Sequence, residues 1–518
     1  MQSVSEPSSR FFILLAGALG VASFGIVLLF HNIADGDLWA KLALGASVWK
    51  DGKLPVQDVF AFTPTLPVYI DHEWGSGLVF FTVLKWFGPG ALLLLKVAMA
   101  FTALGSALVI ARRFGADWPA LLAFAVPAAL CVLPGFVPVL RSHVFTYVCF
   151  SATLLFLELI RAGRRWPAFA LAPLMTLWVN THGGFVAGLG TIGIYTVASL
   201  IDRKALKVML PTFLACVAAT TLNPYGPKYW FHVLPAILHK RPDIVEWQPM
   251  PLWANDAFIG FRILLILTIG FLILGGREAR KSLPGFCMLL ITVLLTLRSR
   301  RHAPFFAVAA LAFVAPCLSI VVRSTLAKYA APRLANINPA RAVFAAFVAL
   351  TFFVSIKFLP GASFQVFAPV SQFPVREADI LARSGLSGSL AVPFEWGSYA
   401  SWRLYPKIKV SMDGRYEAAY PESTYEMNRD LFAKRGPEWD RLLTRHRVDF
   451  VAIDLQRSKL KPEDLTSRGY VTVWQQEGIS ALVVMNKYAA QLQSIVADLP
   501  PFTIETLDAS IPDKWPPF

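Results

Sequence analysis

The chain has 518 residues, 56% of them hydrophobic and 16% charged, with a mean hydropathy of +0.54, which excludes an ordinary soluble enzyme of this size. A net charge of +15 would suggest nucleic acid as the partner of a soluble protein, but its distribution excludes that reading. Residues 1–359 carry 30 Lys+Arg against 14 Asp+Glu, and residues 360–518 carry 18 against 19.

In chain order, apolar runs of roughly 15–22 residues predict about eleven membrane helices, each near the length that crosses ~30 Å of hydrocarbon. They cover 11–30, 90–110, 119–140, 143–160, 166–180, 184–201, 208–222, 258–276, 283–297, 303–322 and 342–359. The first has no small-x-small site after Phe30 and reads as an anchor, not a cleaved signal. With the N-terminus in the cytoplasm, Arg10 and the alternate loops place 16 basic and four acidic residues there: Arg112/Arg113, Arg161/Arg164/Arg165, Arg203/Lys204/Lys207, Arg277/Arg280/Lys281 and Arg323/Lys328/Arg333/Arg341, against Glu6, Asp117, Asp202 and Glu278. The charge excess is thus a record of orientation. It sends the 31–89 loop, the 223–257 loop and the C-terminal domain to the outer side, the periplasm of a bacterium whose inner membrane holds the chain.

The expected architecture is mainly α: a polytopic helix bundle over 1–359 and a periplasmic α/β domain over 360–518. Within the 31–89 loop, Leu38, Trp39, Leu42, Ala46 and Trp49 recur at helical spacing with Lys41 among them, which suits a helix lying on the membrane surface. The stretch Trp74–Phe87 is too short to cross. Lys96, Glu158 and Arg262 lie near span ends and are expected to snorkel to the interface, which leaves a transport path poorly supported. In the tail, Ile408–Met412, Phe450–Ile453 and Ile479–Met485 are strand-like, and 376–384, 422–434 and 437–446 helix-like. All five cysteines fall in apolar runs and read as buried hydrophobes.

The polar groups left on the outer side carry the functional argument. Asp35 and Asp37 follow the first span, and Asp71-His72-Glu73 ends the same loop; such carboxylates suit a general base or a divalent cation, although Asp-Gly-Asp is often only a turn. Arg141-Ser142-His143, Asn180-Thr181-His182 and Arg298-Ser299-Arg300-Arg301-His302 form outer turns. Arginines there run against the charge rule; they suit a phosphate held by guanidinium forks, or else lipid headgroups or tail carboxylates. His143, His182 and His302 fit helix caps better than a metal trio.

These residues resemble the GT-C superfamily of membrane glycosyltransferases, in particular an uncharacterised bacterial group. The resemblance rests on Asp35-Gly36-Asp37-Leu38-Trp39, Asp71-His72-Glu73-Trp74, Trp178 to Gly184, Leu222 to Gly226, Arg301-His302-Ala303-Pro304, Trp396-Gly397-Ser398-Tyr399 and Met412-Asp413-Gly414-Arg415. It implies a polyprenyl-phosphate-linked sugar as donor and membrane lipids as surroundings, with no role for nucleic acid. It also implies an essential first-loop acid at Asp37 or Asp35, assisted by Asp71 and Glu73. Arg298, Arg300, Arg301, Arg141 and His302 would hold the phosphate, and His72, His143, Asn180 and His182 would line the site. A divalent cation, if used, falls to Asp35 and Asp37. The rival expectations are a non-enzymatic scaffold or lipid-binding subunit of an envelope-polysaccharide system and, less readily, a transporter.

Overall fold

The computed structural model describes residues 7–137, 139–238, 245–253, 257–329 and 338–499. Two of the expected cytoplasmic charges, Glu6 and Arg333, lie outside these residues, as do the side chains of Arg277, Glu278 and Lys328. The chain packs as two discontinuous units, residues 1–31 with 93–363 and residues 32–92 with 364–518. The first outer loop thus belongs with the tail, and the division differs from the contiguous one at residue 360. The physical reason is that the loop's apolar side chains bury against tail residues, as described below.

The first unit is helical. Each of the eleven predicted segments is a helix or a broken helix, and Tyr229–Leu238 adds one that the sequence reading treated as loop. Among the described residues, six helices are long and apolar enough to cross a membrane: Ser9–Phe30, Pro89–Arg113, Trp118–Phe136, His143–Arg161, Ile259–Gly276 and Pro339–Gly361. Arg300–Phe313 and Ala315–Arg323, bent by 40° at their junction, make a seventh if taken together. Phe185–Ile201 and Leu283–Arg298 are shorter. A 16-residue helix such as Trp166–Thr181 rises only ~24 Å at 1.5 Å per residue, short of a ~30 Å core.

Within this unit the first and last helices pair. The Ser23 hydroxyl lies 2.9 Å from that of Thr351, Phe12 packs on Phe344 and Phe30 on Phe358, and Gly20 leaves room for the Phe347 ring. Two charges expected to snorkel do not. Lys96 is fully buried and donates to the carbonyls of Leu28 (2.7 Å) and His31 (2.5 Å), closing the C-terminal end of the first helix. Glu158 is buried and accepts from Tyr195 Oη (2.7 Å), Arg161 Nε (3.0 Å) and the Ser282 hydroxyl. Arg262 reaches the Pro251 carbonyl at 2.9 Å. These groups bind protein because helix termini and buried partners lie within reach.

The second unit centres on a five-stranded sheet: β1 (Gly388–Ala391), β2 (Ile408–Val410), β3 (Phe450–Asp454), β4 (Tyr470–Gln476) and β5 (Ser480–Met485). Their order is β2-β1-β3-β5-β4, parallel from β2 to β3 and antiparallel beyond. β3 is buried at all five positions, as a central strand should be. β1, β4 and the helices Phe394–Leu404 and Asn486–Ala497 were not read from the sequence. The first loop closes the β2 edge: Phe62 N–H donates to the Val410 carbonyl (3.0 Å) and Val410 N–H to that of Phe60 (3.0 Å).

The helix Gly36–Asp51 is bounded by an Asp35 N-cap and by Gly52 at φ 65°, a left-handed position that suits glycine. Every residue from Leu38 to Val48 is buried, so it is an enclosed helix and not one laid on a lipid surface. It crosses Trp74–Phe87 where Gly45 and Gly77 meet: a Cβ on Gly45 would come within 2.2 Å of the Gly77 carbonyl oxygen. On the tail side, Trp39 packs edge-on against Tyr399 (centroids 5.1 Å) and Phe373 (6.0 Å). Leu44, Val48, Ala61 and Tyr69 share one apolar cluster with Met412, Ala419 and Tyr420.

Candidate functional site

In the second unit, the backbone before the first-loop acids is held by the tail. Ala34 N–H donates to the Phe367 carbonyl (2.8 Å), and Phe367 N–H to that of Asn32 (2.9 Å). Asp35 is half-buried and accepts from Leu38 N–H at 3.2 Å; Asp37 is exposed in the first helical turn. Both carboxylates lie at the N-terminus of this helix.

Asp71 and Glu73 are placed differently. Lys41 donates to both oxygens of Asp71 (3.0 and 2.9 Å) and lies 3.1 Å from Glu73, while Tyr69 donates to Asp71 at 2.6 Å. Asp71 is 3% exposed, so it has no open face for a substrate. Burial pushes its carboxyl up, but Lys41 outweighs that and holds it below the usual range; for Lys41, Asp71 and Glu73 overcome burial and hold its pKa above the ordinary value. The half-exposed His72 lies 3.4 Å from Glu73. The four expected acids therefore split into a pair that opens a helix, Asp35 and Asp37, and a pair, Asp71 and Glu73, held on Lys41. Lys41 was read as a surface residue, and its spacing alone gave no sign of this role.

Arg415, from the tail motif, is buried in the same manner. It forms ion pairs with Asp413 and with Asp58 of the first loop, and its guanidinium lies over the rings of Phe60 (4.8 Å) and Tyr69 (5.3 Å). Gly397 in the other tail motif leaves no room for a side chain, since a Cβ would sit 1.8 Å from the Met412 carbonyl oxygen. These motifs are joints of the unit.

In the first unit, two expected arginines converge on a carboxylate that the sequence reading passed over. Arg141 Nη1 donates to Glu246 at 2.7 Å, and Arg301 Nη1 lies 3.5 Å from its other oxygen. Burial pushes Glu246 up, but Arg301 and Arg141 hold it below the usual carboxylate range. The geometry is set by backbone: Arg300 N–H donates to the Gln248 carbonyl (3.1 Å), Met250 N–H to that of Leu297 (3.1 Å) and the Ser299 hydroxyl to that of Glu246 (3.1 Å). Trp247 lies under Arg301 at 5.0 Å. One signal was available: paired outer arginines call for a carboxylate, and Glu246 lies in an outer loop.

His182 joins this cluster. Its Nδ1 accepts from Gly184 N–H (2.9 Å), which can only donate, and lies 2.8 Å from the Thr146 hydroxyl, which itself accepts from Trp178 Nε1 (2.8 Å). On its other side, the His182 Nε2 lies 3.2 Å from Arg301 Nη2. Two guanidinium forks and an imidazole gathered in one place suit an anionic oxygen, which such a fork can hold through two hydrogen bonds.

The other expected residues go elsewhere. His143 bonds the Gly135 carbonyl (2.9 Å), Asn180 those of Thr176 and Leu222 (both 2.8 Å), and Arg300 that of Pro249 (3.1 Å). His302 lies 3.3 Å from the Ser299 carbonyl and caps the helix Ala303–Phe313, and Arg298 is exposed. Among the described residues, no three His, Cys, Asp or Glu side chains are grouped as a metal site would need.

At the sequence level no family description and no curated protein matches the chain. Solved structures do. The Archaeoglobus fulgidus oligosaccharyltransferase AglB, in complex with an inhibitory peptide and a dolichol-phosphate, is 12% identical over 88% of this chain and 70% of its own, with a TM-score of 0.59. The mycobacterial arabinofuranosyltransferase AftD is 15% identical over 92% of this chain, with a TM-score of 0.57. The chain shares its fold with these two glycosyltransferases. Its several long apolar helices, in a fold shared with membrane glycosyltransferases, make this a multi-pass membrane protein. The chain spans 40% of the AftD length. At such identities the likeness extends to the backbone and not to the chemistry.

Proposed function

We propose that the protein transfers a sugar from a polyprenyl-phosphate donor to an acceptor hydroxyl at the outer, periplasmic face of a bacterial inner membrane, with its N-terminus in the cytoplasm. The observation that carries this reading is that Arg141 and Arg301 meet at Glu246 with the His182 ring beside Arg301, a gathering of guanidinium forks that suits an anion. The dolichol-phosphate held by the archaeal neighbour supports a lipid phosphate as that anion. The basic loops support the orientation.

In the reaction, the acceptor oxygen attacks the anomeric carbon as the bond from that carbon to the phosphate oxygen breaks. Asp37, exposed in the first helical turn, takes the acceptor's proton. Arg141 and Arg301 stabilise the negative charge gathering on the departing phosphate. Asp35 holds the first turn of the helix and, with Asp37, supplies the carboxylates to which a divalent cation would bind. Zinc and sulfate are present in a further Archaeoglobus fulgidus oligosaccharyltransferase structure, which supports testing metal dependence here. Asp71 and Glu73 act through Lys41 as positioning residues.

The test is transfer of radiolabelled sugar by purified protein in nanodiscs. Asp37→Asn should lower the rate by about 10²–10⁴-fold, the usual contribution of a positioned base, with the melting temperature unchanged. Transfer at the wild-type rate by a folded Asp37→Asn protein would remove Asp37 from the mechanism.

A further inference from the structure

Away from every residue used above, the tail carries an open cavity of about 250 Å³ lined by Leu443, Thr444, His446, Arg447, Val448, Arg468, Tyr470 and Met485. It lies where the helix Arg441–Arg445 runs into β3 and where β4 begins and β5 ends. Tyr470 fixes one wall by donating from its hydroxyl to the Val448 carbonyl (2.8 Å). The floor is therefore apolar and held by the sheet.

The rim is cationic. Arg447 has its side chain 74% exposed and shares one carboxylate, Asp449, with Lys487 at 3.5 and 3.2 Å. Arg468 is paired with Asp440 and its guanidinium lies over Trp439 at 5.1 Å, which holds the fork in place. Two carboxylates thus answer three cations. Burial, reinforced by Arg445, pushes the His446 pKa down, so at neutral pH it serves as a hydrogen-bonding group and not a further charge. The volume is just under the roughly 300–1,000 Å³ of small-molecule sites, which suits one ring with a substituent.

We propose that this cavity binds an anionic monosaccharide unit, its ring against Tyr470 and Met485 and its acidic group on Arg447 and Arg468. A sugar ring has apolar C–H faces and many hydroxyls, matching an apolar floor rimmed by Thr444, His446 and guanidinium donors. The acidic group is a carboxylate or a phosphate; both accept from an arginine fork. The site is separate from the transfer chemistry, so it stands or falls by binding alone.

The experiment is calorimetric titration of the full-length protein in nanodiscs, with no lipid donor present, using glucuronate, glucose 1-phosphate, glucose and inorganic phosphate. One of the two acidic sugars should bind at least tenfold more tightly than both glucose and inorganic phosphate, and which of them does so identifies the acidic group. Arg447→Ala should weaken that binding at least tenfold, and Thr444→Trp should abolish it by filling the mouth. Both positions are exposed, so neither variant should unfold, and exposed Arg383→Ala elsewhere on the tail should bind as wild type. Equal affinity for glucose, equal affinity for inorganic phosphate, or binding unchanged in Arg447→Ala and Thr444→Trp would each overturn the proposal.

Discussion

Arg301 stands in a fork: one guanidinium nitrogen faces Glu246 at 3.5 Å, another His182 at 3.2 Å, and its face rests on Trp247. A lysine keeps the charge but loses the fork and the stacking. Arg301→Lys is therefore expected to raise the KM for the lipid donor at least tenfold, and Arg301→Ala further; steady-state kinetics over a donor series measures this. Lys41 presents the reverse case, a buried cation whose removal leaves two carboxylates facing each other. Lys41→Met should cost about 3–5 kcal/mol of stability, the usual effect of breaking a buried pair from one side, read as a lowered melting temperature. Residue types announced these charges, and spacing placed the arginines at turns between helices. Which carboxylate each cation would meet was not legible, because Lys41 with Asp71, Arg415 with Asp58 and Arg301 with Glu246 are separated by tens to hundreds of positions.

The helix Val375–Ser384 carries Glu377, 1% exposed, with Oε1 lacking a hydrogen-bond partner among the described residues. Burial pushes its pKa up to about 7, against a smaller opposing effect of the Ser480 hydroxyl. The folded state thus holds this proton more tightly than the unfolded chain, whose glutamate titrates near 4.5. Its contribution is fully present below about pH 4.5 and is lost as pH rises through about 7. Protection of this helix from hydrogen exchange should accordingly fall between pH 5 and pH 8 in the full chain, once corrected for intrinsic exchange, and Glu377→Gln should flatten that dependence. Long apolar helices were legible because a membrane-crossing length demands a continuous apolar run, and β3 because burial at all five positions writes one too. The four-residue β1 and the helix Phe394–Leu404 were not, since short buried elements leave no full period to detect. The helix Gly36–Asp51 was found by its period, but its surroundings were misread: lipid and a folded tail both reward the same apolar face.

Across the whole molecule, charge asymmetry fixed the expected orientation, and composition separated an apolar stretch from an ordinary tail. The joining of residues 32–92 to 364–518 was hidden, because no local pattern records which distant segment buries a loop. Orientation is testable by thiol labelling. The native cysteines are buried, apart from the half-buried Cys287, so their background should be low. Arg164→Cys should label only after the inner membrane is permeabilised, and Thr444→Cys should label from the periplasm without it. The central claim is that a lipid phosphate leaves at the Arg141 and Arg301 cluster while Asp37 takes the acceptor's proton. It is tested most directly by mass-spectrometric detection of free polyprenyl phosphate released when the purified protein meets a polyprenyl-phosphate-linked sugar and acceptor. Wild type should release it in step with transfer, with the rate at least 100-fold lower in both Arg301→Ala and Asp37→Asn; release at the wild-type rate by both folded variants would contradict the account.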